Sequence, residues 1–304
     1  MNRPEVAVIL VNWNNHKDTV ECLDSFSDLS YKNFKVYLVD NKSTDNSVNL
    51  INEHIASKKY TFTIDFIMTE KNLGFAGGNN VALRKAYNSG SKYFWLLNND
   101  TITTPNSLTN LVNCMEKNEK IGIVGSKIYY NNSDIIWFVG GTFDPSTGRT
   151  RHISFKHKDS GQYKTPFEVN YISGCSMMIR REVIRDIGFM SEDFFLYYEE
   201  VDYNIKAEKY NWKIVVEPNS VIYHKVSISS GGEKNLAPYV AYYDLRNGFW
   251  VCKRNFKGLH FKAFVYLLLK TFKKILRIYS ENQDRKFVRL KYIIKGVNEA
   301  LFTK

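Results

Sequence analysis

The 304-residue sequence has no Cys-x-x-Cys pair, no internal repeat, no low-complexity linker and neither of the common glycine fingerprints for phosphate binding. Each absence excludes something. The four cysteines, Cys22, Cys114, Cys175 and Cys252, are scattered, which argues against a cysteine-based zinc site or a disulfide framework and fits a reducing compartment. The apolar run Val6–Val11 is too short for a signal-peptide core followed by a cleavage site, so the chain is expected not to be exported. A second run, Phe264–Leu269, is too short to span a bilayer. Without G-x-G-x-x-G or G-x-x-x-x-G-K-[ST], a Rossmann oxidoreductase and a P-loop nucleotidase both lose their main support.

What is present in quantity is apolar and aromatic surface, 44% and 15% of residues, enough for a sizeable core. Net charge is +11, but it is concentrated. Residues 246–304 hold fifteen Lys/Arg against three Asp/Glu, a net +12, which leaves the rest of the chain at −1. The basic charge therefore belongs to the C-terminal segment. No nucleic-acid-binding motif accompanies it, and nucleic acid is not an expected partner.

The first half alternates strand and helix signals. Residues 6–13, 35–41, 62–69 and 93–100 read as strands, and helices are expected up to about Leu29, over Asp45–Ala56 and Ala76–Tyr87, and from Pro105 as a first-turn proline. Such alternation predicts an α/β fold with a mostly parallel, helix-covered sheet, whose ligands collect at the strands' carboxyl ends. From Ile121 the signals become shorter, partly antiparallel strands with glycine-rich turns, then a helix near Glu200 and a last strand pair, KIVVEP and SVIYH. Two units are expected, an α/β domain over 1–235 and a basic helical extension over 236–304.

Four motifs bear chemistry, each open to a plainer reading. NLGFAGGNN (72–80) is either a flexible strand–helix connection or a close backbone approach to an anionic ligand. LLNNDT (96–101) ends an apolar strand in three polar side chains, which suit a turn and helix cap or oxygen ligation of a hard divalent cation. FFLYYEEVDYNIK (194–206) sets Glu199, Glu200 and Asp202 beside an aromatic run. They are either helix-start acids or carboxylates with raised pKa suited to general-base work. His224 closes the strand SVIYH as a hydrogen-bonded residue or a ligand.

Taken in order, VAVILVNWNN, VYLVDNKSTDNS, NLGFAGGNN, LLNNDT, SGCSMMIRR, FFLYYEEVDYNIK and VIYHKVSISS resemble family 2 glycosyltransferases of the GT-A fold, especially their bacterial rhamnosyltransferase-like branch. The resemblance spans roughly residues 5–230. It implies that Asn12 and Asp40 lie at the nucleoside, with Asp40 at the base, and that Asn72, Gly74, Gly77, Asn80, Asn98 and Asn99 touch the nucleotide-sugar. Asp100 matches the last aspartate of the family's D-x-D motif, with Asn98 in place of the first. Asp100 and His224 are then ligands for Mg²⁺ or Mn²⁺, and Glu200 is the catalytic base of an inverting displacement. Gly174, Cys175, Glu199 and Asp202 are expected to orient groups or contact the acceptor. The implied donor is dTDP-L-rhamnose, with UDP-galactofuranose, UDP-glucose or UDP-N-acetylglucosamine as alternatives, and the acceptor a glycan or lipid-linked saccharide.

Residues 261–279 place Lys262, Lys270, Lys273, Lys274 and Arg277 on one side of a helical wheel and the large apolar residues on the other. Such a helix is expected to lie on an anionic membrane surface, or else to pack on the core or on a second copy of the chain. The predicted location is cytoplasmic, peripheral at the inner face of the cell membrane.

Overall fold

Strand β1 (Val6–Asn12) is buried along almost its whole length because it has a parallel neighbour on each side. Those neighbours are β2 (Phe34–Asp40) and β4 (Tyr93–Leu97), and β3 (Thr63–Met68) extends the parallel run beyond β2. A strand covered on both faces needs an apolar run, and VAVILV supplies one. In this computed structural model, which describes residues 3–226, 236–258 and 260–303, the sheet continues on the other side of β4 with antiparallel β11 (Ser176–Arg180). Next come β6 (Ile121–Tyr130) and β12 (Lys213–His224), parallel to each other. The mixed sheet is therefore ordered β10-β12-β6-β11-β4-β1-β2-β3, where β10 is Phe167–Glu168; β5 (Thr101–Thr103) pairs with β12, and β7 (Ile136–Phe138) with β6. A separate hairpin is formed by β8 (Gly141–Asp144) and β9 (Arg149–His152).

The crossover helices are α1 (His16–Ser25), α2 (Ser47–Ser57) and α3 (Gly74–Asn88). Helix α3 begins at Gly74, two residues before the expected Ala76; Gly74 takes φ 71° there, and Phe75 N–H is bonded to the Phe195 carbonyl at 2.8 Å. Pro105 is not inside a helix. It sits in a turn closed by Ser107 N–H on the Thr104 carbonyl, and α4 (Ser107–Lys117) starts after it. The expected pair KIVVEP and SVIYH is the single strand β12, interrupted where the register shifts between Glu217 and Val221. Pro218 has no N–H to give to a ladder, so the irregularity falls there.

Helices α5 (Arg181–Ile187) and α6 (Glu199–Lys209) follow β11. The C-terminal layer is α7 (Pro238–Asn255), α8 (His260–Ser280) and α9 (Lys286–Phe302), with α7 packed on α6, α8 and α9. As the wheel predicts, α8 is amphipathic, but two of its cations face inward: Lys270 and Lys274 pair with Asp244 of α7 at 2.6 and 2.8 Å. Its apolar stripe, Phe261, Val265, Leu268, Leu269, Phe272, Leu276 and Tyr279, is exposed. Among the described residues no helix is long and apolar enough to cross a membrane.

Candidate active site

Parallel strands in register end in register. Asn12 of β1 lies opposite Asp40 of β2, so the polar residues that follow each apolar run meet at one edge of the sheet. A cavity of about 770 Å³ opens at this edge. It is walled by Trp13, Asn15 and Asn41 after the first two strands, Asn72, Gly74 and Phe75 at the start of α3, Asn98 to Asp100 after β4, and Ser173 to Cys175 before β11. Phe195 to Tyr197, Glu199, Glu200 and His224 close the inner side, and Tyr239, Tyr242, Tyr243, Tyr292 and Lys295 of the C-terminal layer complete it.

LLNNDT takes the turn reading in part: Asn98, Asn99 and Asp100 form the connection from β4 to β5, and the cap of α4 is Asn106 instead. Asn98 N–H bonds to the Cys175 carbonyl at 3.0 Å, while Asn99 Nδ2 donates to Thr19 Oγ1 at 2.8 Å. Antiparallel pairing of β5 with β12 sets His224 opposite Thr101, which brings the histidine beside Asp100. His224 Nε2 lies 3.1 Å from Asp100 Oδ1. Burial works against both charges, yet each steadies the other. The imidazolium holds the Asp100 carboxyl below its ordinary range, and Cys175 and Asp100 draw His224 well above its own. His224 Nδ1 is buried without a hydrogen-bond partner, and the Trp137 ring lies edge-on to the imidazole with centroids 4.5 Å apart. A carboxylate oxygen and an imidazole with spare capacity suit a divalent cation, provided that ligand oxygens fill the other positions. They are the pair on hand, since among the described residues no group of three His, Cys, Asp or Glu is placed to hold a metal.

Glu199 and Glu200 open α6 immediately after Tyr197 and Tyr198, both in the left-handed region at φ 66° and 72°. Burial pushes Glu200 up to about 7 against the backbone N–H groups at the helix start, and pushes Glu199 well above its usual range, with the neighbouring Glu200 charge adding to the effect. One Oε2 of each is buried and unpartnered. Two adjacent acids so placed do not ionise together; burial raises both, most strongly the more deeply buried Glu199.

The glycines carry close approaches. A Cβ on Gly74 would meet the Phe195 carbonyl oxygen at 2.2 Å, and one on Gly174 would meet the Phe75 ring at 2.8 Å. These contacts bring the α3 start, the Gly174–Cys175 segment and the Glu200 loop together around the cavity.

Five expected contact residues stand away from the cavity wall. Asn12 and Asp40 are buried behind it and bonded to each other at 2.8 Å; Asp40 also accepts from Ser43 N–H and Oγ, so its carboxylate braces the 41–45 loop and Asn41 faces the cavity instead. Asn80 is used up by the Met190 backbone and Glu192. Gly77 meets a packing need, because a Cβ there would lie 2.7 Å from Leu73 Cβ. Asp202 points toward α7, accepting from Asn255 at 2.7 Å and pairing with Lys206 at 2.6 Å. Sequence reasoning missed Trp13, Asn41, Trp137 and the tyrosines of α7 and α9. Asn41 follows Asp40 directly, and YVAYY (239–243) is a visible aromatic cluster, but neither has a local pattern that points to a cavity.

Residues 7–188 match the sequence family described as glycosyl transferase family 2. The chain belongs to this family, and it is a glycosyltransferase with the GT-A fold. It is 22% identical over 235 residues to a poly-beta-1,6-N-acetyl-D-glucosamine synthase of Staphylococcus epidermidis, covering 75% of this chain and only about half, 51%, of the synthase's length. It is also 22% identical over 272 residues to an N-acetylglucosaminyl-diphospho-decaprenol L-rhamnosyltransferase of Mycobacterium tuberculosis, with 80% of this chain and 85% of that protein covered. The solved mannosyltransferase PcManGT of Pyrobaculum calidifontis, in complex with GDP-Man and Mn²⁺, superposes with a TM-score of 0.62 at 16% identity, covering 100% of this chain and 89% of that one.

Proposed function

We propose that this chain transfers a sugar from a nucleotide-sugar to an acceptor hydroxyl in a single displacement with inversion. The observation that carries the reading is one cavity holding both the Asp100–His224 pair and Glu200, whose environment sets its carboxylate to ionise near neutrality. Trp13, Asn15, Asn41, Asn72, Asn98 and Asn99 form the proposed nucleotide end, and Asn12 and Asp40 support it from behind. Asp100 and His224 would hold Mg²⁺ or Mn²⁺, which when bound neutralises charge on the departing diphosphate. The Mn²⁺ in the solved mannosyltransferase supports that assignment. Glu200 accepts the proton of the acceptor hydroxyl as it attacks the anomeric carbon. Glu199 keeps its own proton, and Gly174 and Cys175 shape the wall beside the base.

For the donor we favour dTDP-L-rhamnose, because the mycobacterial rhamnosyltransferase aligns over most of both chains, whereas the synthase aligns over half of its own length. A UDP-sugar, UDP-N-acetylglucosamine first, is the second reading, and the synthase supports it. Thermal stabilisation with Mn²⁺ by dTDP-L-rhamnose, UDP-N-acetylglucosamine, UDP-glucose and UDP-galactofuranose tests the choice. Selective stabilisation by a UDP-sugar would replace rhamnose.

The acceptor we favour is a glycan or lipid-linked saccharide, presented at the cytoplasmic face of an anionic membrane. Helix α8 would lie on that surface, its exposed apolar stripe entering the headgroup boundary and exposed Lys262, Lys273 and Arg277 flanking it toward the lipid phosphates. A second copy of the chain is the less favoured occupant, since two such faces would bring like charges together. The division into a 1–235 catalytic unit and a 236–304 helical layer is retained as part of this reading, with the layer completing the cavity.

A further inference from the structure

Asn247 lies on α7, fully buried and outside the cavity wall. Its amide is saturated in a single orientation. Nδ2 donates to the carbonyls of Leu196 at 2.9 Å and Tyr197 at 2.8 Å, while Oδ1 accepts from Arg246 Nε at 2.8 Å. These carbonyls enter a turn that tyrosine does not adopt readily, since Tyr197 and Tyr198 both have positive φ, and successive bulky residues in that region persist only where the surroundings hold them. The neighbours of Asn247 hold the same segment. Arg246 Nη2 donates to the Asp193 carbonyl at 3.2 Å, and Gly248 leaves room for the Tyr198 ring, whose hydroxyl would lie 3.0 Å from a Cβ there.

The turn leads directly into α6, whose early bond runs from Asp202 N–H to the Tyr198 carbonyl at 2.9 Å. Successive helix side chains point about 100° apart, so the angle at which the chain enters α6 sets how each of the two carboxylates on the cavity wall is directed. We infer that Asn247 is a positioning residue: by fastening the Leu196 and Tyr197 carbonyls to α7, it holds the left-handed turn that aims Glu200 into the cavity. The inference rests on the reading of Glu200 as the base. It also makes α7 part of the catalytic apparatus, although none of its residues need touch the reacting atoms for this role.

The test uses the full chain with its glutamate carboxyls labelled with ¹³C. It reads the titration of the Glu200 carboxyl, assigned by its loss in Glu200→Gln, and deuterium exchange at the Asp202 amide against amides in β1 and β4. Asn247→Ala removes both donors. The near-isosteric Asn247→Asp still accepts from Arg246 but cannot donate to the carbonyls. In both variants Asp202 exchange should rise roughly tenfold with β1 and β4 unchanged, and the Glu200 midpoint should fall by about one pH unit as water reaches it. Adding Tyr197→Gly to Asn247→Ala should restore part of the protection, because glycine takes a positive φ without a Cβ penalty. Unchanged exchange and midpoint in both variants, or an equal rise in exchange across β1 and β4, overturns the inference. Normal sugar transfer by Glu200→Gln would instead overturn the base assignment, leaving the exchange result to stand or fall separately.

Discussion

His224 Nε2 lies 3.1 Å from Asp100 Oδ1, joined through the register of β5 and β12 rather than through any nearness in the chain. Because the pair draws His224 well above its ordinary range, the ring is protonated at neutral pH until a cation displaces that proton. Mn²⁺ affinity measured by titration calorimetry in the presence of nucleoside diphosphate should therefore rise with pH, with proton release at neutrality. Asp100→Ala should abolish metal-dependent diphosphate binding and His224→Ala should weaken it. Affinity independent of pH, or full transfer in EDTA, would remove the metal assignment.

If Glu200 is the base, Glu200→Gln keeps shape while losing the capacity to accept a proton, so transfer should fall roughly 10²–10⁴-fold with nucleotide binding retained. Glu199→Gln should cost less. Single-turnover transfer at saturating substrates decides between them, and wild-type transfer should rise with pH through about 7, where Glu200 ionises. A larger loss in Glu199→Gln would exchange the two roles.

The same acid pair has a stability signature. Glu200 binds its proton more tightly folded than unfolded, so between about 4.5 and about 7 the unfolded chain releases the proton first and stability falls as pH rises. Glu200→Gln lacks this penalty. Its melting temperature should exceed wild type at pH 8 and approach it at pH 4, a difference on the order of 3 kcal/mol at the upper pH. Identical pH–stability curves would contradict a raised Glu200.

The proposed membrane face is best tested without truncation. Cutting after Gly258 would remove α9, whose Ile293, Gly296 and Ala300 are buried and whose Glu299 carbonyl accepts from Trp250 Nε1. Leu268→Asp with Phe272→Asp alters only exposed positions of α8. The double variant should keep its melting temperature and lose flotation with phosphatidylglycerol-containing liposomes, and wild-type flotation should weaken with salt as the cation contribution, about 1 kcal/mol per exposed Lys or Arg, is screened. Equal flotation of both proteins, or of neither, favours packing against protein.

Much of the frame was legible because buried parallel strands leave a strong trace. VAVILV and YFWLL have to be apolar on both faces, and the polar residues that follow them mark where the sheet ends. The same logic drew Asn98 to Asp100 to one cavity, whereas His224 was pointed to by the family resemblance. It failed where a polar side chain at a strand end serves the scaffold: Asp40 looks like a ligand contact but spends its oxygens on Asn12 and Ser43, and Asn80 spends its amide on the 190–192 segment. Ser43 is only three residues from Asp40, but Asn12 and Met190 lie 28 and 110 residues from theirs, beyond the reach of any local pattern. The contribution of α7 was hidden for the same reason. Arg246 and Asn247 read as the polar interval of an ordinary helix until α7 docks beside the Glu200 turn.

The irregularity in β12 separates two duties of one strand. Pro218, Asn219 and Ser220 lack partners in the β6 ladder, while Ile214–Glu217 and Val221–His224 are each paired on their own side of the gap. A slip of one residue in an uninterrupted strand would turn every later side chain to the opposite face. Here the unpaired interval divides the strand, so the face that His224 turns to Asp100 is set by its own pairing with β5 and β6.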